Sequence, residues 1–458
     1  MAEQSTPLLS PKTFAVGGSF ASPNSCAVDY DEEPYSHPRQ LPHVGGASLS
    51  TALSNLVLAV LGAGQLTLPY AFSQLGFGFG MVALMFCMLL SVHSLYTISV
   101  YELNYTRDPT FCIESYAELV VRVLGQPGKA VCTALMLIYS WGGGVSFLIV
   151  LKGELSYLWS LVFETPVESY CFIIVVSLVI LWPLSALDDV SSLKRFSPLG
   201  CGAAVFITFV VLLCTPWTGF FQDQACEGPV GAAEDNGQIL WWTTSLLDIC
   251  AALPLLSFSM NSTWAYVPIL CTLRGKVEGG KPTSRVYALI VGANAIIIGN
   301  YILLSSYGYT MFCENTNPNI LVSLGAAVSP GTVQEIFVVL ARTALSVQLT
   351  LALPMRFFVS RKTLASEMPL SKRVLTAFLL VGSATVVASL PISLATTIGI
   401  VSSICATMII YILPAIVDLR IALPGMLRRT GSLVSLSFGV FVMIGGLVGN
   451  ITNKSVGG

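Results

Sequence analysis

The chain has 458 residues, of which 10% are charged and 54% apolar, with a formal net charge of −2. An ordinary soluble domain carries about 25% charged residues. This balance excludes a disordered protein and a basic nucleic-acid-binding domain, and it argues against a soluble enzyme of this size.

Residues 1–46 are rich in Ser and Pro and read as a disordered cytoplasmic tail. The first apolar run comes far too late for a signal peptide. Beyond the tail, Asp, Glu, Lys and Arg are missing from 40–101, 130–151, 169–187, 196–222, 249–273, 286–313, 374–417 and 430–453. The stretch 336–355 carries Arg342 alone. A membrane crossing takes about 20 apolar residues as a helix, against about ten for a barrel strand. Backbone in lipid must satisfy its own hydrogen bonds, so long apolar windows are helices. The windows 40–101 and 374–417 hold two helices each and the others one. The sequence thus predicts an all-α polytopic membrane protein with eleven transmembrane helices over 47–451 and a short outer or lumenal tail at 452–458.

Eleven crossings sort the positive charges. Sorted by loop, nineteen of the 22 Lys and Arg fall on the side of the N-terminus, Arg356 among them. Lys152 and Lys454 fall on the other side, and Arg342 lies within the eighth helix. Positive charge marks the cytoplasm, so the N-terminus is expected inside and the C-terminus outside or lumenal.

The first helix runs from Asn55 through Gly62-Ala63-Gly64-Gln65 to Pro69. Gly frees the backbone and Pro removes a donor. Either the small residues pack against a neighbour, or the helix unwinds at Gly62–Gln65 and leaves amides at a half-helix N-terminus, which favour a carboxylate. In the second helix His93 is read as a packed side chain or a proton relay. Residues 111–125 are expected to form a short surface helix. Lys152 and Glu154 close the third helix as gate residues or interfacial anchors. The sixth helix begins at Trp241-Trp242, an aromatic anchor. It carries Pro254, Ser257, Phe258, Ser259, Asn261 and Pro268. Its hydroxyls either bond back to their own helix or mark a second interruption. Asp248 in the sixth helix and Arg342 in the eighth are read as an ion pair or as gate residues. Cys226 and Cys313 fall on the outer side, where a disulfide between them is expected, with Cys171 as a competing partner.

Interrupted helices at the first and sixth positions are the sequence signature of a transporter built from inverted repeats, with its site at the midplane. Free amides suit a carboxylate, and free carbonyls with Ser257 and Ser259 suit an ammonium. An amino acid offers both groups on one carbon. The expected substrate-binding set is Gly62, Ala63, Gly64, Gln65, Ser257, Phe258, Ser259 and Asn261.

These motifs resemble the amino acid/auxin permease family, closest to its branch of sodium-coupled neutral amino acid transporters. The first helix is similar in Asn55, Gly62-Ala63-Gly64 and Tyr70-Ala71, the second in Ser91-Val92-His93. The third is similar in Lys152 and Glu154-Leu155, the fourth in Pro183-Leu184-Ser185. The sixth is similar in Leu253-Pro254, Ser257-Phe258-Ser259 and Pro268-Ile269, the eighth in Arg342, Pro354 and Arg361. The resemblance implies a LeuT-like fold of five plus five inverted helices with an extra C-terminal helix. It implies amino acid symport with Na+ or H+, and a cation site at Asn55 and Thr350. Thr263 stands where the branch has His, Gln65 where it has an apolar residue, and Ala352 where it has Thr.

The expectation is a cation-coupled secondary amino acid transporter without a cofactor, working as a monomer in a plasma, vacuolar or lysosomal membrane. No fixed charge is expected to face the site, which favours a neutral side chain. The alternatives are a non-transporting amino acid sensor and a proton-coupled vacuolar carrier of cationic or other amino acids. An enzyme would need a clustered nucleophile, base or metal set, and an ion channel a continuous polar pore; neither pattern is present.

Overall fold

The computed structural model describes residues 47–105, 115–163, 169–187, 197–215, 239–364 apart from 274, 276, 279 and 280, 369–421 and 425–452. The expected N-terminal tail, the last six residues and Cys226 lie outside the described residues. The fold is helical apart from a minimal hairpin, β1 (Val277–Glu278) with β2 (Lys281–Pro282).

The helices in chain order are α1 (Leu49–Val60), α2 (Leu68–Leu75), α3 (Phe77–Tyr105), α4 (Tyr116–Val162), α5 (Tyr170–Ser185), α6 (Ser197–Cys214) and α7 (Leu246–Ser259). They continue with α8 (Thr263–Thr272), α9 (Ser284–Phe312), α10 (Ile320–Ala327), α11 (Val333–Leu364), α12 (Leu370–Ser389), α13 (Leu394–Ile421) and α14 (Met426–Thr452). Hydroxyl and amide caps start several of them. Ser48 accepts from Thr51 N ahead of α1, Ser115 from Glu118 N ahead of α4, and Asn319 from Leu321 N ahead of α10. Each cap satisfies a donor that the helix leaves orphaned. Of the expected short helix at 111–125, residues 116–124 are helical and form the first part of α4, set off from the rest by a kink at Gly125, whose φ of 71° lies in the region that favours glycine; residues 111–114 lie outside the described residues.

By length and composition, eight helical units among the described residues suffice to cross a membrane, α7 and α8 counting as one. Leu49–Val60 and Gly64–Leu75 form one further unit, bent by 51°. The remaining apolar helices, α5 and α6, are shorter. Large apolar side chains cover the outside, among them Val82 and Leu89 on α3, Val179 on α5 and Val386 on α12. A surface of that kind is matched to hydrocarbon rather than to water.

Inside, α4 and α11 form the central pair, with α6, α12 and α13 against them. The α7 unit packs on α14 through small residues. A methyl carbon on Gly449 would lie 2.8 Å from the Ala251 nitrogen, so the two backbones nearly touch. Between α2 and α3, Phe77 N donates to Leu240 O at 2.7 Å and Thr243 N to Leu75 O at 3.1 Å. Trp241 and Trp242 stand against Phe77 and Phe79 there, with ring centroids 5.4 and 6.1 Å apart.

Candidate functional site

The first helical unit breaks where its glycines predict. After α1, Gly62 adopts an extended conformation (φ −156°, ψ −156°), and a short 3-10 segment, Ala63–Thr67, leads into α2. The first bond of that segment is Gln65 N to Gly62 O at 3.1 Å. The amides of Ala63 and Gly64 precede it and stand outside the ladder, whereas the Gln65 amide is used internally. The Gln65 side chain is turned away as well. Its Nε2 donates to Ala204 O of α6 at 3.3 Å, and its Oε1 accepts from Asn300 of α9 at 3.1 Å.

The second break lies opposite. Between α7 and α8 the residues Asn261 and Ser262 are not helical. Ser259 Oγ donates to Gly64 O at 2.9 Å, tying one break to the other. The Phe258 ring lies over Gly64, 2.9 Å from where a methyl carbon there would sit. Ser257 is held by its own helix, donating to Leu253 O at 3.0 Å, and accepts from the Tyr411 hydroxyl at 3.4 Å. Tyr301 of α9, which sequence reasoning missed, clamps both breaks. Its hydroxyl meets Ser259 O at 2.8 Å and Val60 O at 3.4 Å.

Buried polar groups cluster at the second break: Ser262 Oγ and Thr263 Oγ1 have no hydrogen-bonding partner, and the Asn261 amide has only the neighbouring Tyr139 hydroxyl beside it. Orphaned buried groups cost about 1–3 kcal/mol each, so their concentration here marks a place that a polar ligand can satisfy.

The third wall is the glycine run Gly142-Gly143-Gly144 of α4. Phe147, one turn on, lies 3.5 Å from a methyl carbon on Gly62. Gly142 faces Val401, Gly144 faces Phe357, and Gly143 faces the guanidinium of Arg356. The loop position expected for Arg356 is therefore corrected. Helix α11 runs on to Leu364, about two turns beyond it. Its carbonyl accepts from Ser140 at 2.9 Å, and its guanidinium carbon sits 4.2 Å from the Phe147 ring centre, beside the Tyr139 hydroxyl. A fixed positive charge does face the breaks, contrary to the sequence expectation. The triple glycine was the one visible signal for it.

The other expected residues fall elsewhere. Asn55 is exposed, and Thr350 donates to Ser346 O at 2.8 Å; no bond joins the two. Arg342 does not pair with Asp248. It binds Glu154 at 2.5 Å, stacks on Tyr157 at 3.5 Å, and shares Glu154 with Asn319 at 2.7 Å. Asp248 lies in the first turn of α7, where its N–H is capped by Ser245. Lys152 donates to Ala388 O at 2.8 Å, independently of Glu154. Cys313 is buried at the end of α9 with φ 47°, and its expected partner Cys226 lies outside the described residues. The His93 ring nitrogen meets Arg428 O at 3.3 Å. Beside it Arg428, Tyr101 and Ser432 converge on Asp418, a packed cluster apart from the breaks.

The fold is that of a multi-pass helical membrane protein in which two interrupted helices are tied together in the interior. Residues 45–452 match the family described as "Transmembrane amino acid transporter protein", and the chain belongs to that family.

Proposed function

We propose that the chain carries amino acids across its membrane by cation-coupled alternating access. The observation that carries this reading is the pair of breaks tied by Ser259 and Tyr301, with the unpartnered hydroxyls of Ser262 and Thr263 beside them. The substrate carboxylate docks on the Ala63 and Gly64 amides at the start of the 3-10 segment, where the helix dipole favours it. The ammonium docks at the C-terminal end of α7, with the Asn261 amide oxygen as an acceptor. Asn55 and Thr350 are oxygen donors suited to Na+ in the conformation that brings them together; a proton is the alternative coupling ion.

The bent unit with α5 and α6 completes eleven crossings. The first ten form two inverted groups of five, with the breaks in equivalent members and α14 as the extra helix. The N-terminus then lies in the cytoplasm. Cys226 is proposed to pair with Cys313 on the outer side.

The test is uptake of labelled amino acids into proteoliposomes, with sodium and proton gradients imposed separately. Accumulation driven by one gradient is the expected result. Tight binding without accumulation under either gradient would instead make the protein a sensor.

A further inference from the structure

Arg356 is a charged group near the breaks that amino acid recognition by backbone amides and carbonyls leaves unused. It lies among α4, α7 and α11 and keeps part of its surface accessible, so it is not sealed into a packed core. No carboxylate pairs with it among the described residues. Glu154 is taken by Arg342 and Asn319, and Asp418 by Arg428, Tyr101 and Ser432. What holds the guanidinium is the Phe147 face and the Tyr139 hydroxyl. Stacking on an aromatic face leaves the in-plane N–H fork of an arginine free to grip a second group. Gly143 provides the space, because a methyl there would collide with one guanidinium nitrogen.

The position also says which part of a substrate it meets. The Phe258 ring lies against Gly64, and it lies 3.8 Å from a methyl carbon on Gly143. The same edge of that ring thus neighbours the first break and the glycine that faces the guanidinium. Phe258 and Phe147, each touching both a break glycine and the Arg356 neighbourhood, set the guanidinium within reach of the side chain of an amino acid whose α-carboxylate sits on the amides. A cationic side chain there faces a like charge in a low dielectric, and an aliphatic one leaves the buried guanidinium uncompensated. A side chain ending in a carboxylate neutralises it with a two-pronged hydrogen bond.

We propose that Arg356 is the specificity-determining residue of the site, binding a side-chain carboxylate of the substrate and turning away cationic amino acids. This rests on the transport reading for the placement of the α-carboxylate. The test is therefore binding, read without transport as the substrate-induced rise in melting temperature of the purified full-length protein. Glutamate and aspartate are expected to stabilise the wild type at concentrations where leucine does so weakly and lysine not at all. Arg356→Gln is expected to lose roughly thirtyfold or more in glutamate affinity, with leucine little changed. Arg356→Lys, which keeps the charge but not the fork, is expected to keep excluding lysine while binding glutamate less tightly. Should Arg356→Gln be recovered unfolded, Gly143→Ala carries the same test, since it only displaces the flexible end of the arginine. Equal ranking of the four amino acids in wild type and variants overturns the proposal. So does stabilisation of the wild type by lysine as strong as by glutamate, or by none of the four. A wild type that binds glutamate through Arg356 but accumulates nothing in vesicles would count against transport alone.

Discussion

Gly62 and Gly64 look alike in the sequence and differ in the structure. Gly62 is extended, and a methyl on it would meet Phe147 at an ordinary contact distance of 3.5 Å. A methyl on Gly64 would press on Phe258 at 2.9 Å and on Ser259 Oγ at 3.2 Å, the two side chains that hold the breaks together. Gly64→Val is therefore expected to reduce uptake to background in a protein that still reaches the membrane, while Gly62→Ala stays near wild type. Equal loss in both variants, measured as proteoliposome uptake per mole of protein, would contradict the packing argument. The break itself was legible because Gly and Pro act on the local backbone. The turning of Arg356 into the interior was not. Charge sorting by loops assigns a basic residue near a helix end to the surface, and only the tertiary approach of α4 shows otherwise. Gln65 was misread for a related reason. Its place beside the glycines says nothing about which neighbour its side chain meets, and that neighbour is α6 and α9.

At the scale of elements, α9 and α10 hold the broken unit from two sides. Tyr301 gives its one proton to carbonyls at both breaks, with Ser259 O the nearer. Tyr301→Phe leaves those carbonyls without their donor, a cost of about 1–3 kcal/mol. Apparent substrate affinity is expected to fall about five- to 150-fold if that cost appears in binding. An unchanged concentration dependence of uptake would mean that the breaks hold without the clamp. On the other side, α10 packs on the 3-10 segment and is tied through Asn319 to Glu154 and thence to Arg342. Both charges are buried, at 0% and 4% exposure, so removing one partner alone strands the other. Glu154→Leu or Arg342→Met is expected to destabilise by about 3–5 kcal/mol, and the double variant to recover most of that loss. Melting temperatures in detergent read both. Additive losses in the double variant would show that the two charges do not act as a pair. That charged residues sit in these helices was plain from the sequence. Which pairs form was not, because partner choice depends on how α4, α10 and α11 meet.

For the whole molecule, the two ends of the first unit differ. Toward α2 the break is covered, with α10 packed on residues 63–67 and Ile320 against Gly308, which in turn lies on Pro69. Toward its N-terminus, α1 exposes Thr51, Ser54 and Asn55. On the proposed transport reading, a first unit covered at α2 and exposed at α1 is one end of the cycle, with the cation yet to bind. Binding of cation and substrate then has to draw α1 against α11, since only a ligand that prefers the closed state shifts the balance. Ser54 lies one residue from the proposed ligand and is a better reporter than the ligand itself. A Ser54→Cys variant, with the native cysteines replaced and its own uptake first confirmed, is expected to react with a membrane-impermeant maleimide from the side of the N-terminus. Saturating amino acid with the coupling cation is expected to slow that reaction several-fold, and either ligand alone to slow it less. A labelling rate indifferent to both would mean that α1 does not move as the site fills. Access from the opposite side alone would invert the orientation that the nineteen basic residues predict.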